Sequence, residues 1–84
     1  MTATEKGYLR RDQMMRFIQE YISTHGYSPS VREVRDFMGY QSTSVAFLQL
    51  RRLRQDGYVT FIDSRARTVR LTERGNDHIN HRPT

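Results

Sequence analysis

The spacing of apolar residues changes at Gly57, and this change divides the 84-residue chain into two parts. Before Gly57, apolar residues recur every three or four positions, which is typical of helices with one buried face. After it, in the runs YVTFID and TVRLT, apolar and polar residues alternate, which is typical of short β-strands. The sequence therefore predicts a helical first part followed by a β-hairpin.

Three helices are predicted before this change of spacing. The first runs from about Leu9 to Thr24, and His25-Gly26 ends it. Met15 is predicted to lie at the margin of its buried face. That face follows the spacing i, i+3, i+4, i+7, i+8 and comprises Met14, Phe17, Ile18, Tyr21 and Ile22.

The second helix is short and has clear boundary residues. Ser30 and Glu33 form an S-x-x-E capping box at its start, and Gly39 ends it. The residues GYQS then form a tight connection to the third helix. We expect the buried face of the second helix to comprise Val34, Phe37 and Met38.

The third helix, in the stretch TSVAFLQLRRLRQDG, has an outer face that is not purely polar. Because each residue turns a helix by about 100°, Leu48 points away from the buried stripe and Phe47 lies on one flank. Apolar side chains among arginines and hydroxyls indicate a surface that contacts a partner. The buried stripe itself comprises Ala46, Leu50 and Leu53.

A short helix, a turn with glycine and a longer helix with basic groups form the helix-turn-helix pattern. The hairpin that follows carries Arg65 and Arg67 in its SRAR connection and would be the wing, the alternative being an exposed hairpin kept soluble by arginine. The predicted fold class is α+β, mainly α: a winged helix-turn-helix with three helices and a two-stranded β-wing. The run LTERGNDHI permits a short C-terminal helix capped by Thr72.

The chain length fits one domain. We expect residues 1–7 to be a flexible N-terminus, residues 8–72 to form the winged helix-turn-helix domain, and residues 73–84 to be a tail that allows a short helix. The longest apolar run is VAFL, so we expect neither secretion nor a membrane span, and a cytoplasmic location.

The charge distribution favours a polyanionic partner. Lys and Arg number 14 against 9 Asp and Glu, a net charge of +5, and Lys6 is the single lysine. Arginine binds phosphate and guanine edges through two parallel hydrogen bonds. The basic residues are concentrated in the second half of the chain, where residues 51–70 hold six arginines and two aspartates.

Several function classes are disfavoured by composition. The chain has no cysteine, and we expect His78 and His81, three apart in a polar tail, to be solvated rather than bound to a metal. A core of this size leaves no room for an ordinary cofactor pocket. Neither Ser42 nor Ser64 has a visible activating base. We therefore expect no enzyme activity, no metal and no cofactor.

The order G-Y-S-P-S-x-x-E-V, G-Y-Q-S, recognition helix, D-G-Y-V and R-x-x-R-L resembles the N-terminal winged-helix domain of the LexA repressor family. The resemblance covers about residues 12–71 without a gap. It implies binding to double-stranded DNA and transcriptional regulation, as a repressor or a small phage or plasmid regulator. The LTERG run is also similar to MarR and PadR regulators, in which it opens a dimerisation helix, so a homodimer on DNA is left open.

The resemblance also implies a set of DNA-binding residues. The wing arginine of the family matches Arg67, Arg70 matches the basic residue of the returning strand, and Ser30 matches the hydroxyl that faces phosphate. In the family, the N-terminal half of the recognition helix reads the major groove. The matching positions are Ser42, Ser44, Val45, Phe47 and Leu48.

Three interpretations of the outer face stay open. Phe47 and Leu48 would read thymine methyls, while Arg51 and Arg52 reach guanine edges or phosphates. The wing-tip Arg65 would contribute to the binding of all duplexes. Alternatively, the Phe47/Leu48 face is a protein-interaction surface for a host transcription or repair protein. In the third interpretation, the wing or tail folds over Phe47.

This sequence departs from the family pattern in two respects. GYLRRD stands where the family usually begins its first helix with Leu-Thr-x-x-Gln. The family's second domain, with its serine-lysine dyad and dimer interface, has no counterpart here. We therefore expect no self-cleavage.

Overall fold

The computed structural model describes the backbone of residues 3–80 and the side chains of residues 10–80. The described chain folds into helices packed against a two-stranded antiparallel sheet, which confirms the predicted winged helix-turn-helix with a C-terminal helix. In chain order the elements are α1 (Ala3–His25), α2 (Val31–Met38), α3 (Thr43–Gln55), β1 (Val59–Thr60), β2 (Arg70–Leu71) and α4 (Glu73–Asn80).

Helix α1 begins at Ala3 rather than near Leu9, so it includes residues 3–7 of the segment expected to be flexible. The prediction used the apolar stripe, which does not reach these polar turns. Alanine, glutamate and lysine nevertheless favour a helix, and the glycine at position 7 costs only about 1 kcal/mol.

The helix-turn-helix boundaries agree with the prediction. Ser30 Oγ accepts the Glu33 backbone N–H at 3.1 Å, while Glu33 Oε1 accepts the Ser30 N–H at 2.8 Å, which completes the capping box. Gly39 ends α2 with a left-handed φ of 73°, a conformation that costs glycine little. Ser42 caps α3 by accepting the Val45 N–H at 3.3 Å.

The core is formed by α1, α2 and α3 with contributions from the strands and α4. Two of the expected positions are wrong. Met15 is fully buried rather than marginal, and Phe37 is 55% exposed, with its ring stacked on Phe17 at 4.3 Å between centroids. Phe37 lies beside the inward row of α2, which Val34 and Met38 occupy. The buried apolar residues are Met14, Met15, Ile18, Val34, Met38, Ala46, Leu50, Leu53, Val59, Val69 and Ile79.

The wing, residues 59–71, has shorter strands than YVTFID and TVRLT predict. Val59 pairs with Leu71 and Thr60 with Arg70, and the chain between them forms a loop. The hydroxyl of Thr68 accepts the Ile62 N–H at 2.9 Å and lies within hydrogen-bonding distance of nearby carbonyl oxygens. These side-chain bonds link the two sides of the loop beyond the last backbone pair of the sheet, Thr60 with Arg70.

Helix α4 is the short C-terminal helix that the LTERGNDHI run permits, and it packs against α1. Thr72 caps α4 by accepting the Gly75 N–H at 3.1 Å. His78, expected to be solvated, lies on α4 with Nε2 at 3.0 Å from the buried Asp12. The sequence does not show this contact because 66 positions separate the partners. His81 lies outside the described residues.

Candidate nucleic-acid interface

The N-terminal half and outer side of α3 form the open face predicted by helical spacing. Val45 is 37% exposed and Leu48 is 45% exposed, although the neighbouring Ala46 is completely buried. Ser44, Arg51 and Arg52 are exposed on the same helix. The face therefore combines apolar groups with hydroxyl and guanidinium groups, and each of these types can contact base edges in the major groove.

Phe47 is placed differently from Leu48. Its ring is half-buried and meets the ring of Phe61 edge-on at 5.7 Å between centroids. Phe47 also lines an apolar cavity of about 200 Å³ beneath the wing, together with Leu50 and Val69. The wing therefore partly covers Phe47, as in the third interpretation, whereas Leu48 remains exposed.

The three predicted wing arginines, Arg65, Arg67 and Arg70, are all exposed. Arg65 lies in the wing loop and Arg70 on β2, and neither guanidinium has a carboxylate partner among the described residues. Arg54 supports the wing from below. Its Nη1 donates to the Phe61 carbonyl at 3.2 Å and to Asp63 at 3.1 Å.

Arg67 lies against the helices rather than extending from the wing. Its Nη1 donates to Glu33 at 2.7 Å, and to the Tyr21 hydroxyl and the Ser28 carbonyl at 3.2 Å each. The guanidinium also lies 5.1 Å from the ring centroid of Tyr27. The DNA contact that the family resemblance implies for Arg67 stays a prediction; in this structure its hydrogen-bond partners are protein groups, and the side chain is still 42% exposed.

The hydrogen bonds around Glu33 alter the ionisation of this group of residues. The backbone N–H of Ser30, the Tyr21 hydroxyl and Arg67 lower the pKa of Glu33 to about 2. The pKa of Arg67 is raised by Tyr21 and Glu33, and the pKa of Tyr21 is raised chiefly by Glu33. At neutral pH the Glu33–Arg67 pair is therefore fully charged.

Two of the three serines predicted to contact DNA, Ser30 and Ser42, act as helix caps. The Oγ atoms of Ser30 and Ser42 each accept a backbone N–H of their own helix, and both residues are half-buried. A hydroxyl that accepts one hydrogen bond still has a proton to donate. Capping is therefore compatible with the predicted phosphate or base contact.

Sequence reasoning missed the roles of Tyr21 and Glu33 at the wing. It assigned Tyr21 to the buried stripe of α1 and Glu33 to the capping box. Their shared partner Arg67 is 46 and 34 positions away, respectively, so no local pattern joins them. Within residues 10–80, no group of three histidine, aspartate or glutamate side chains could hold a metal ion. No described helix is long and apolar enough to cross a bilayer.

Comparison with known proteins agrees with this geometry. The family model for the LexA DNA-binding domain matches residues 9–68, from α1 through the wing loop. The chain belongs to this family. The LexA repressor of Staphylococcus aureus strain USA300 is 32% identical over 76 residues, covering 89% of this chain and 37% of that repressor. The LexA repressor of Clostridium kluyveri strain ATCC 8527 is 34% identical over 71 residues, covering 84% of this chain and 35% of that repressor. The chain thus spans little more than a third of these relatives' length.

The region matched to the LexA DNA-binding domain contains α2, α3 and the wing loop in unbroken order. Helix α4 lies beyond the matched residues. The matched residues therefore include the open face of α3 and the exposed Arg65, whereas α4 packs against α1.

Proposed function

We propose that this LexA-type domain binds double-stranded DNA in a sequence-specific manner and acts as a transcriptional repressor in the bacterial cytoplasm. The observation that carries the proposal is the open face of α3, where Val45 and Leu48 stand beside Arg51 and Arg52. Both relatives are LexA repressors, which supports the regulatory role.

In the proposed complex, α3 enters the major groove with its N-terminal half toward the bases. Leu48 and Val45 contact thymine methyls, and Ser42 and Ser44 exchange hydrogen bonds with base edges or phosphate. The exposed side chains of Val45 and Leu48 together suit a partner that also offers an apolar group. Thymine is the base that offers one in the major groove.

The arginines supply the part of the affinity that does not depend on sequence. Arg51 and Arg52 on α3, together with Arg65 and Arg70 of the wing, are exposed and reach phosphates or guanine edges. A net charge of +5 adds long-range attraction to the DNA backbone. The wing then lies along the backbone beside the groove.

Selection from random duplex DNA, followed by salt titration on the enriched site, tests this function. We expect an enriched motif and a log–log salt slope of about −0.9 for each phosphate neutralised. Arg51→Ala and Arg65→Ala should each weaken binding, and the slope should fall by about 1 for a lost phosphate contact. The length of the protected DNA reports whether one copy or a homodimer binds.

Arg74→Ala is the matched control because it also removes one guanidinium. Arg74 lies on α4, over the ring of Tyr58 at the C-terminal end of α3, far from the proposed reading face. Its loss should leave affinity within about twofold. An affinity for DNA that does not change between low and physiological salt would contradict the proposal. Enrichment of no motif would favour the alternative, a protein-binding face around Leu48.

A further inference from the structure

We propose that Arg67 acts on DNA binding indirectly, by holding the wing against α1 and α2 so that Arg65 is presented to the DNA backbone. The inference rests on the proposed function and makes Arg67 a positioning residue. We call Tyr21, Ser28, Glu33 and Arg67 the Arg67 cluster.

The Arg67 cluster joins three parts of the fold through one guanidinium. Arg67 donates to Glu33 on α2, to Tyr21 on α1 and to the Ser28 carbonyl in the loop between these helices. The Tyr21 hydroxyl in turn donates to Glu33 Oε2 at 2.6 Å. Both carboxylate oxygens of Glu33 are therefore engaged, one of them also by the cap at Ser30.

Arg54 holds the wing to α3 at Phe61 and Asp63, whereas Arg67 holds the far side of the wing loop to α1 and α2. Thr68 closes the loop onto Ile62 and so preserves its internal shape, but all of these bonds lie within the wing. The loop backbone turns sharply, because Ser64 and Arg67 have left-handed φ values of 68° and 59°. Arg67 connects this turn to the two helices N-terminal to α3.

The hydrogen bonds of Arg67 also restrict the loop that carries Arg65. Arg65 stands two positions before Arg67, on the exposed side of the loop, and its backbone N–H donates to the Ile62 carbonyl at 3.2 Å. A guanidinium presented from a fixed loop loses less conformational entropy on binding phosphate than one on a free loop. Loss of the Arg67 cluster should therefore weaken the contact of Arg65 without removing any charge from it.

Glu33→Gln separates the indirect role from a direct phosphate contact. Glutamine at the third helical position preserves the capping box, so α2 keeps its start while the ion pair with Arg67 is lost. Removal of a negative charge should by itself strengthen DNA binding. If Arg67 positions the wing, Glu33→Gln instead weakens binding to the selected duplex by about fivefold.

Asp36→Asn is the matched control. It removes one negative charge from the same helix, but the partner of Asp36 is the neighbouring Arg35 at 2.9 Å and not the wing. This control should bind DNA as tightly as the parent or more tightly. In Glu33→Gln the additional effect of Arg65→Ala should be smaller than in the parent, because the wing no longer presents Arg65.

The proposal is overturned if Glu33→Gln binds DNA as tightly as Asp36→Asn does. A direct phosphate contact of Arg67 is tested in an Arg65→Ala background, where a further fall of about 1 in the salt slope on Arg67→Met would overturn the proposal. An unchanged slope in that background supports the positioning role, because the Arg65 contact that Arg67 would position is already absent.

The rate of trypsin cleavage after Arg65 reports, in the absence of DNA, how firmly the wing loop is held against the helices. We expect faster cleavage in Glu33→Gln and Tyr21→Phe than in the parent and in Asp36→Asn, at unchanged urea midpoints or after correction for them. Equal cleavage in all four proteins would contradict the anchor. If the parent binds no duplex, the proposed function fails, and the cleavage rates still decide whether the Arg67 cluster holds the wing.

Discussion

Phe47 and Leu48 are adjacent on α3, yet the wing covers one and leaves the other open. We therefore expect Leu48→Ala to leave the melting temperature nearly unchanged, since truncation of an exposed side chain creates no cavity. Specific DNA affinity should fall by about 1 kcal/mol, with lost preference at one or two T·A pairs. Affinity for unrelated duplex should hardly change, because arginines supply that part.

Phe47→Ala provides the contrast, since it removes a ring that packs on Phe61 and lines the cavity under the wing. We expect a loss of about 2 kcal/mol in unfolding free energy, less than for a fully buried ring. Uracil in place of thymine tests the Leu48 contact from the DNA side. If uracil costs nothing at any position while Leu48→Ala abolishes function, the methyl contact is wrong.

At the scale of elements, α4 approaches the start of the wing so closely that one position requires glycine. A Cβ on Gly75 would lie 2.0 Å from the carbonyl oxygen of Tyr58, which cannot move freely because it accepts the Thr72 N–H. Gly75→Ala should therefore displace α4 and lower the free energy of unfolding by about 3 kcal/mol, measured by urea denaturation.

Asp77→Ala on the same helix is the control, because Asp77 is exposed and its truncation should change stability by less than about 0.5 kcal/mol. Equal stability of Gly75→Ala and the parent would show that α4 does not pack as described. DNA affinity of a folded Gly75→Ala protein should stay close to that of the parent, since α4 lies apart from the α3 face.

At the scale of the whole molecule, Glu33 links α1, α2 and the wing, so its ionisation affects global stability. Its pKa falls from 4.5 to about 2 on folding. A lowered folded-state pKa means that the carboxylate stabilises the protein above pH 4.5, and that this contribution is lost as pH falls toward 2. The difference in urea midpoint between the parent and Glu33→Gln should therefore shrink over this range.

Asp36→Asn again serves as the comparison. Among residues 10–80, the Asp36 carboxylate contacts only the neighbouring Arg35 and takes no part in the Arg67 cluster. A midpoint difference for Glu33→Gln that stays constant from pH 5 to pH 2 would contradict the linkage. High salt should reduce the difference in urea midpoint between the parent and Glu33→Gln only partly. Salt screens the ion pair, whereas the hydrogen bonds that Ser30 and Tyr21 donate to Glu33 remain.

Much of the fold could be predicted from residues that are close together in the sequence. The capping box at Ser30, the left-handed Gly39 and the buried stripe of α3 all depend on residues within one or two helical turns of each other, so spacing alone predicts them. The open position of Leu48 follows from the same spacing. The start of α1 escaped prediction because its first turns are polar and carry no apolar period.

Contacts between distant segments decided the rest. Spacing cannot tell which neighbour covers a flank, so it left open whether the wing covers Phe47, and it did not reveal that Phe37 lies outside the core. Arg67 was recognisable as a basic wing residue, whereas its partners became visible only when folding brought α1, α2 and the wing together. When two partners lie 30 or more positions apart in the sequence, tertiary packing decides whether they meet, because local periodicity carries no information about such a contact.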